Sequence, residues 1–332
     1  MRITLCLIFA AIVPGVISAP AQDHLRAEEV AKLDDLLDQG EYVYAARSAA
    51  SLLERLHVWG PDREAILVLT HIGRSQVELG RFGDAVKVLS QANALASTIP
   101  YNFYDPALFR ETAVLQLEAG EYQAAASTAA KAVHLANDQN QERIRVGYCR
   151  SIEAMALLRL GKPGDAELLS LKAVKACPKK AGNYFVFAPR ILYTACLVES
   201  HQEKYADAEE YCRRGLDIAQ QWKRENRDLS LGYLAQSEAY LEAGDLTRSR
   251  EAAAKNVEIT VRLFGEQHQD MVQVLGLLAQ ISAKQGNMSD ACIQAERAVK
   301  IATALFGSGS AGAAGPVRAL RKMGAACLQK AP

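Results

Sequence analysis

The chain has 332 residues, half of them hydrophobic and 23% charged, with 38 basic and 38 acidic side chains. That is an ordinary globular balance, neither disordered nor collagen-like. A neutral chain without basic runs lacks the phosphate-neutralising charge of a dedicated nucleic-acid binder, so no nucleic-acid partner is expected. With 7% aromatics, the core must be mainly aliphatic and alanine-packed.

Met1-Arg2 precedes an apolar run from Ile3 to Val13, which Pro14-Gly15 breaks and Ala19-Pro20-Ala21 follows. A positive start, a short apolar stretch and a small-x-small ending predict a signal peptide over 1–21, cleaved after Ala21. An uncleaved N-terminal anchor is the alternative, since Ile3 to Ala19 reaches the lower limit for a span but contains Pro14. No later segment is long and apolar enough to cross a bilayer, so no span is expected after cleavage. The expected location is secreted or periplasmic.

From residue 26 to 305 one pattern recurs: Gly, any residue, an aromatic or apolar residue, two residues, then Ala. It reads Gly40-Tyr42-Ala45, Gly80-Phe82-Ala85, Gly120-Tyr122-Ala125, Gly161-Pro163-Ala166, Glu203-Tyr205-Ala208, Gly244-Leu246-Ser249 and Gly286-Met288-Ala291. The spacings are 40, 40, 41, 42, 41 and 42. Each anchor follows a stretch of helical apolar spacing, so its Gly is expected to close a first helix in the left-handed conformation. The Ala five residues on, with a small residue twelve after the anchor (Ala92, Ala132, Ala173, Gly215, Ala298), notches one face of a second helix. The unit is an αα-hairpin, repeated about seven times and stacked into an all-α array.

At these residues the chain resembles the tetratricopeptide repeat family, in the long form of kinesin-light-chain-like repeats. Arg262-Leu263-Phe264-Gly265-Glu266-Gln267-His268-Gln269-Asp270 is similar to their connector, and Leu56-His57-Val58-Trp59-Gly60-Pro61-Asp62 is a weaker copy. The resemblance implies an α-α superhelix with a concave groove. Glu203, Pro163, Ser249 and Asn256 depart from the pattern, so repeats five and six are expected to be the irregular ones and a candidate hinge. After the array, 306–332 should form a connector loop, glycine- and serine-rich from Ser308 to Gly315. A capping helix should then run from Pro316 to Cys327.

No catalytic constellation, phosphate loop or dinucleotide fingerprint is present in the sequence, so no catalytic, cofactor-binding or metal residue is expected. Six cysteines follow the signal segment, and an exported chain permits disulfides. The hairpin model brings Cys149 toward Cys177, Cys196 toward Cys212, and Cys292 toward Cys327. Small buried apolar residues are the competing reading, because helix pairs often leave Cα atoms beyond disulfide reach.

In tetratricopeptide arrays the first helices line the groove. Positions thirteen, ten and six before each anchor then give Arg74, Arg110, Tyr148, Arg190, Tyr193, Glu238 and Gln280 as candidate partner-binding residues. Arg74, Arg110 and Arg190 would favour a carboxylate-bearing segment. Two aromatic clusters, Tyr101-Phe103-Tyr104-Phe109 and Tyr184-Phe185-Phe187-Tyr193, would be packing or a peptide ledge. The Lys/Asn/Arg clamp by which some family members hold a chaperone's terminal carboxylate is unmatched at Val30, Asp34, Thr70, Arg74, Arg110 and Glu111. The expected function is an exported, non-catalytic scaffold for a protein or peptide ligand. The alternative is a structural subunit of an envelope assembly, held through its convex face or its ends.

Overall fold

A computed structural model describes residues 19–56, 63–100, 105–139, 141–177, 187–221 and 226–318, with backbone alone for 19–27 and 38. The expected signal segment therefore lies mostly outside the described residues. Helices pair as hairpins: α1 (Ala19–Asp38) with α2 (Tyr42–Leu56), α3 (Arg63–Glu78) with α4 (Phe82–Ala96), α5 (Pro106–Glu118) with α6 (Tyr122–Asp138) and α7 (Arg143–Arg159) with α8 (Pro163–Val174). The series continues with α9 (Ala188–His201) and α10 (Tyr205–Ala219), α11 (Arg227–Glu242) and α12 (Leu246–Phe264), and α13 (Gln269–Lys284) and α14 (Met288–Phe306). No strand occurs among the described residues.

The turn inside each hairpin follows from its anchor. The six anchor glycines have φ between 70° and 81°, and Glu203, the non-glycine anchor, adopts φ 61°. The residue after each anchor donates its N–H to a carbonyl five residues back, as Arg81 does to Gln76 at 2.8 Å and Lys204 to Glu199 at 2.9 Å. This bond, made at all seven turns, satisfies carbonyls that the helix end leaves open. The small residue five beyond each anchor is fully buried, where the second helix meets the first.

The departures in repeat six do not loosen it. Ser249 and Ser237 exchange hydroxyl-to-carbonyl hydrogen bonds at 2.8 and 2.7 Å. Asn256 donates to the Ser230 carbonyl at 2.8 Å, and the Ser230 and Thr260 hydroxyls lie 2.7 Å apart. Buried polar groups replace small apolar contacts here; the hydroxyls and the Asn256 amide nitrogen find partners, while the Asn256 amide oxygen has none. In repeat five Cys196 and Cys212 are joined by a disulfide between α9 and α10, with Cα atoms 5.3 Å apart. The irregularity expected of repeats five and six is absent from their described helices.

The superhelix closes on itself. Phe82 of α4 packs on Phe306 of α14 with ring centroids 4.9 Å apart, and a Cβ at Gly80 would lie 2.6 Å from the His268 ring. In the C-terminal segment residues 311–315, expected as loop, are already helical, so the helix expected from Pro316 begins earlier and is described through 318. Ser310 caps them by accepting the Ala313 N–H at 3.2 Å, and the alanines that follow favour helix. This segment seats on the Phe306 ring through Gly312 and against Gly120 through the Ala311 carbonyl. Residues 319–332, with Cys327, lie outside the described residues.

Candidate functional site

Inside the superhelix lies a half-open chamber of about 720 Å³. Its walls are α5, α7, α9, α11 and α13, the first helices of repeats three to seven, with Phe306 and the 311–318 segment. The helical phase explains the lining. In repeats four to seven every residue thirteen, ten and six before the anchor faces the chamber. Among them are Tyr148, Arg190, Tyr193, Glu238 and Gln280, the expected groove positions of these repeats. Their neighbours in the same phase are largely apolar, such as Met155, Leu197, Leu231 and Leu234.

Arg74 and Arg110, the two expected contacts in repeats two and three, lie off the chamber. Both are buried beside the Phe187 ring, with guanidinium carbons 5.9 and 5.3 Å from its centroid. Arg110 also donates to Glu111 at 2.8 Å. Phe187 stacks on Tyr148 at 4.9 Å, so it is a packing residue. Of the remaining aromatics expected as a ledge, Phe109 is half-buried and Tyr193 is buried, whereas Tyr101, Phe103, Tyr104, Tyr184 and Phe185 lie outside the described residues.

The end of the chamber toward repeat two is filled by charge. Glu78 of α3 reaches the axis and accepts from Arg190 at 2.7 Å and from Arg227 at 2.9 Å. Arg190 also donates to Asp228 at 2.6 Å. Arg227 donates to Asp270 at 2.8 and 3.0 Å and to Glu118 at 3.0 Å. This network ties α3, α5, α9, α11 and α13 together across the superhelix. Burial works to raise the Glu78 carboxyl, but Arg190 and Arg227 outweigh it and hold Glu78 well below the usual carboxylate range. At Asp228 and Glu118 burial wins, and both carboxyls are raised despite their arginine partners. Arg159 and Glu238 form a separate bidentate pair on the wall, at 2.5 and 2.9 Å. Arg190 is thus engaged internally and is not a free clamp for an acidic ligand.

Tyr193 borders the chamber, yet its ring sits in a notch between two glycines. A Cβ at Gly215 would come within 2.4 Å of the ring, and one at Gly232 within 2.5 Å of the hydroxyl. The hydroxyl has no hydrogen-bond partner. Its role in this geometry is to lock α9 against α10 and α11.

One stripe of α13 borders the chamber: Gln273 and Gln280 are exposed, Gly276 is half-buried, and Gln269 is buried at its start. Gln269 is 1% exposed, and neither its amide nitrogen nor its amide oxygen has a partner. Gln273 donates to the second Glu118 oxygen at 3.1 Å. A glycine inside a helix costs about 1 kcal/mol against alanine, and a Cβ at Gly276 would meet nothing within 4 Å. Its missing side chain leaves the wall recessed. The groove phase marks Gln273 and Gly276 as it marks Gln280, but Gln269 falls outside it.

The cysteines divide. Cys196 and Cys212 are bonded, while Cys149 and Cys177 are free thiols, so of the two readings the pairing fails for them and the unpaired one applies. Burial pushes both free thiols up to about 11. Cys292 is disulfide-bonded, and its expected partner, Cys327, lies outside the described residues.

No protein-family model matches the chain, and no curated protein is similar to it in sequence. Among solved structures, NprR in complex with its cognate peptide NprX is similar at TM-score 0.61 and 12% identity, over 94% of this chain and 89% of that one. The apo form of RapI is similar at TM-score 0.60 and 14% identity, over 83% of this chain and 97% of that one. A tetratricopeptide repeat protein from Parabacteroides merdae covers 90% of this chain and 99% of its own at TM-score 0.48 and 16% identity. At such identities the likeness is one of fold: the chain has the tetratricopeptide-repeat superhelix fold.

Proposed function

We propose that this chain is an exported, non-catalytic scaffold that binds a peptide or an extended protein segment inside its superhelix. The observation that carries the reading is the chamber. It has the size of a ligand site, apolar walls and a few convergent polar groups, with an unpartnered buried amide at Gln269 and a recess at Gly276. The likeness in fold to NprR, solved with a peptide, supports the same class of ligand. Export is supported by the N-terminal pattern over 1–21 and by the Cys196–Cys212 disulfide, since such bonds persist in oxidising compartments.

The test is selection of a displayed hexapeptide library on the purified protein, repeated with Gly276→Leu. A Cβ there meets nothing within 4 Å, so a leucine side chain enters the recess from an unobstructed start. The expected result is enrichment of binders on the wild type, with at least a tenfold loss of affinity in the variant at unchanged helical content. No enrichment, or equal binding by the variant, overturns the reading.

The second reading, a structural subunit of an envelope assembly, is favoured by apolar side chains exposed on second helices, notably Val43 and Tyr44 on α2 and Leu168 and Leu171 on α8. Under it, the library yields nothing and Leu168→Glu releases the protein from its assembly.

A further inference from the structure

The polar end of the chamber is short of positive charge. Two guanidiniums on the axis, Arg190 and Arg227, serve four carboxylates: Glu78, Glu118, Asp228 and Asp270. Arg159 is taken mainly by Glu238 in a bidentate pair and acts on Glu118 only at longer range, with no hydrogen bond to it. Among the described residues no group of three His, Cys, Asp or Glu is placed to hold a metal ion, so the excess is not a metal site. Of the four carboxylates, Glu118 is the one that lines the chamber, and its arginine is shared with Glu78 and Asp270. Beside it stands the amide stripe of α13. Gln273 touches Glu118, and one turn earlier Gln269 presents a buried donor and acceptor that nothing satisfies. An unsatisfied buried amide beside an under-neutralised buried carboxylate is costly in the empty protein, and a ligand carrying the complementary groups relieves both.

We propose that the chamber selects peptides bearing a positive charge, a Lys or Arg side chain or a free amino terminus, next to apolar side chains. The cation meets Glu118, the peptide backbone pairs with the Gln269 amide, and the apolar side chains lie on the leucine-rich walls and over Gly276. The raised Glu118 carboxyl, pushed up by burial and only partly offset by Arg227, agrees with a site that awaits a cation. The inference rests on the peptide-binding reading above and reverses the acidic ligand that the groove arginines suggested.

The same library supplies the test. The expected result is enrichment of Lys and Arg over Asp and Glu among the selected hexapeptides. In the tightest of them, replacing the basic residue by Gln should weaken binding at least tenfold, and replacing it by Glu at least a hundredfold. In the full-length Glu118→Gln protein, whose amide keeps the shape of the carboxyl, the Lys-to-Gln preference should fall below twofold while the Gln peptide still binds. With the wild type, a zero-length carbodiimide crosslink from the peptide's Lys should map to Glu118 and be blocked by excess free peptide. Enrichment of acidic or neutral hexapeptides, an undiminished preference in Glu118→Gln, or a competed crosslink at other carboxylates overturns this inference and leaves peptide binding standing. Absence of any enriched hexapeptide instead overturns the peptide-binding reading itself.

Discussion

Glu78 is the side chain on which most of the axis converges. It is 2% exposed, and it partners arginines 112 and 149 residues further along the chain. Removing one member of such a buried network leaves the others uncompensated, which typically costs 3–5 kcal/mol. Glu78→Ala should lose about 3 kcal/mol in urea denaturation, while breaking an exposed pair such as Arg213 with Glu210 should change stability little. The network also sets the acid response. Glu78 and Asp270 are held below their unfolded values, so their contribution is complete above about pH 4 and is lost as pH falls further. Glu118 and Asp228 are raised, so their charged forms cost stability at neutral pH, and that cost fades as pH falls through their folded values. Thermal stability should therefore hold or rise slightly from pH 7 toward pH 5 and drop below about pH 4. A steady fall beginning at pH 7 would contradict this balance. Tyr193 offers a packing counterpart: Gly232→Ala puts a methyl group 2.5 Å from its hydroxyl and should cost about 1–3 kcal/mol by the same denaturation measurement.

At the scale of the element, the hairpin turn is the unit that repeats, and its conformation is testable at two anchors. Glu203 holds a left-handed conformation that glycine adopts without penalty, so Glu203→Gly should gain about 1 kcal/mol. Gly161→Ala meets no neighbour but inherits a φ of 75°, and it should lose about the same amount. If both changes leave the melting temperature unmoved, the turns do not depend on backbone conformation in this way. These turns were legible in the sequence because each is local: an anchor, a small residue five on and a period near 41 lie within one hairpin. The groove phase was legible for the same reason, and in repeats four to seven it points to the chamber. It fails at Arg74 and Arg110, where the closing superhelix brings Phe187 over the inner face. The ion network was not legible. Glu78, Arg227 and Glu118 are ordinary helix-surface residues by spacing, and no local pattern announces partners more than a hundred residues away. The start of the capping helix at 311, ahead of the expected Pro316, was missed because the glycines there and the serines just before them read as loop, while Ser310 and the Phe306 ring give it a cap and a seat.

For the whole molecule, closure turns a groove into a chamber. Seven hairpins bring α14 back to α4, the ionic network fills the end toward repeat two, and the 311–318 segment forms part of the wall. The ligand would then be held by first helices on several sides, and the second helices would face outward. Hydrogen exchange with and without the tightest selected hexapeptide tests this most directly. The expected result is added protection in α5, α9, α11 and α13, strongest at the start of α13, with α2, α8 and α12 unchanged. Added protection confined to the second helices, with α13 unaffected, would contradict it.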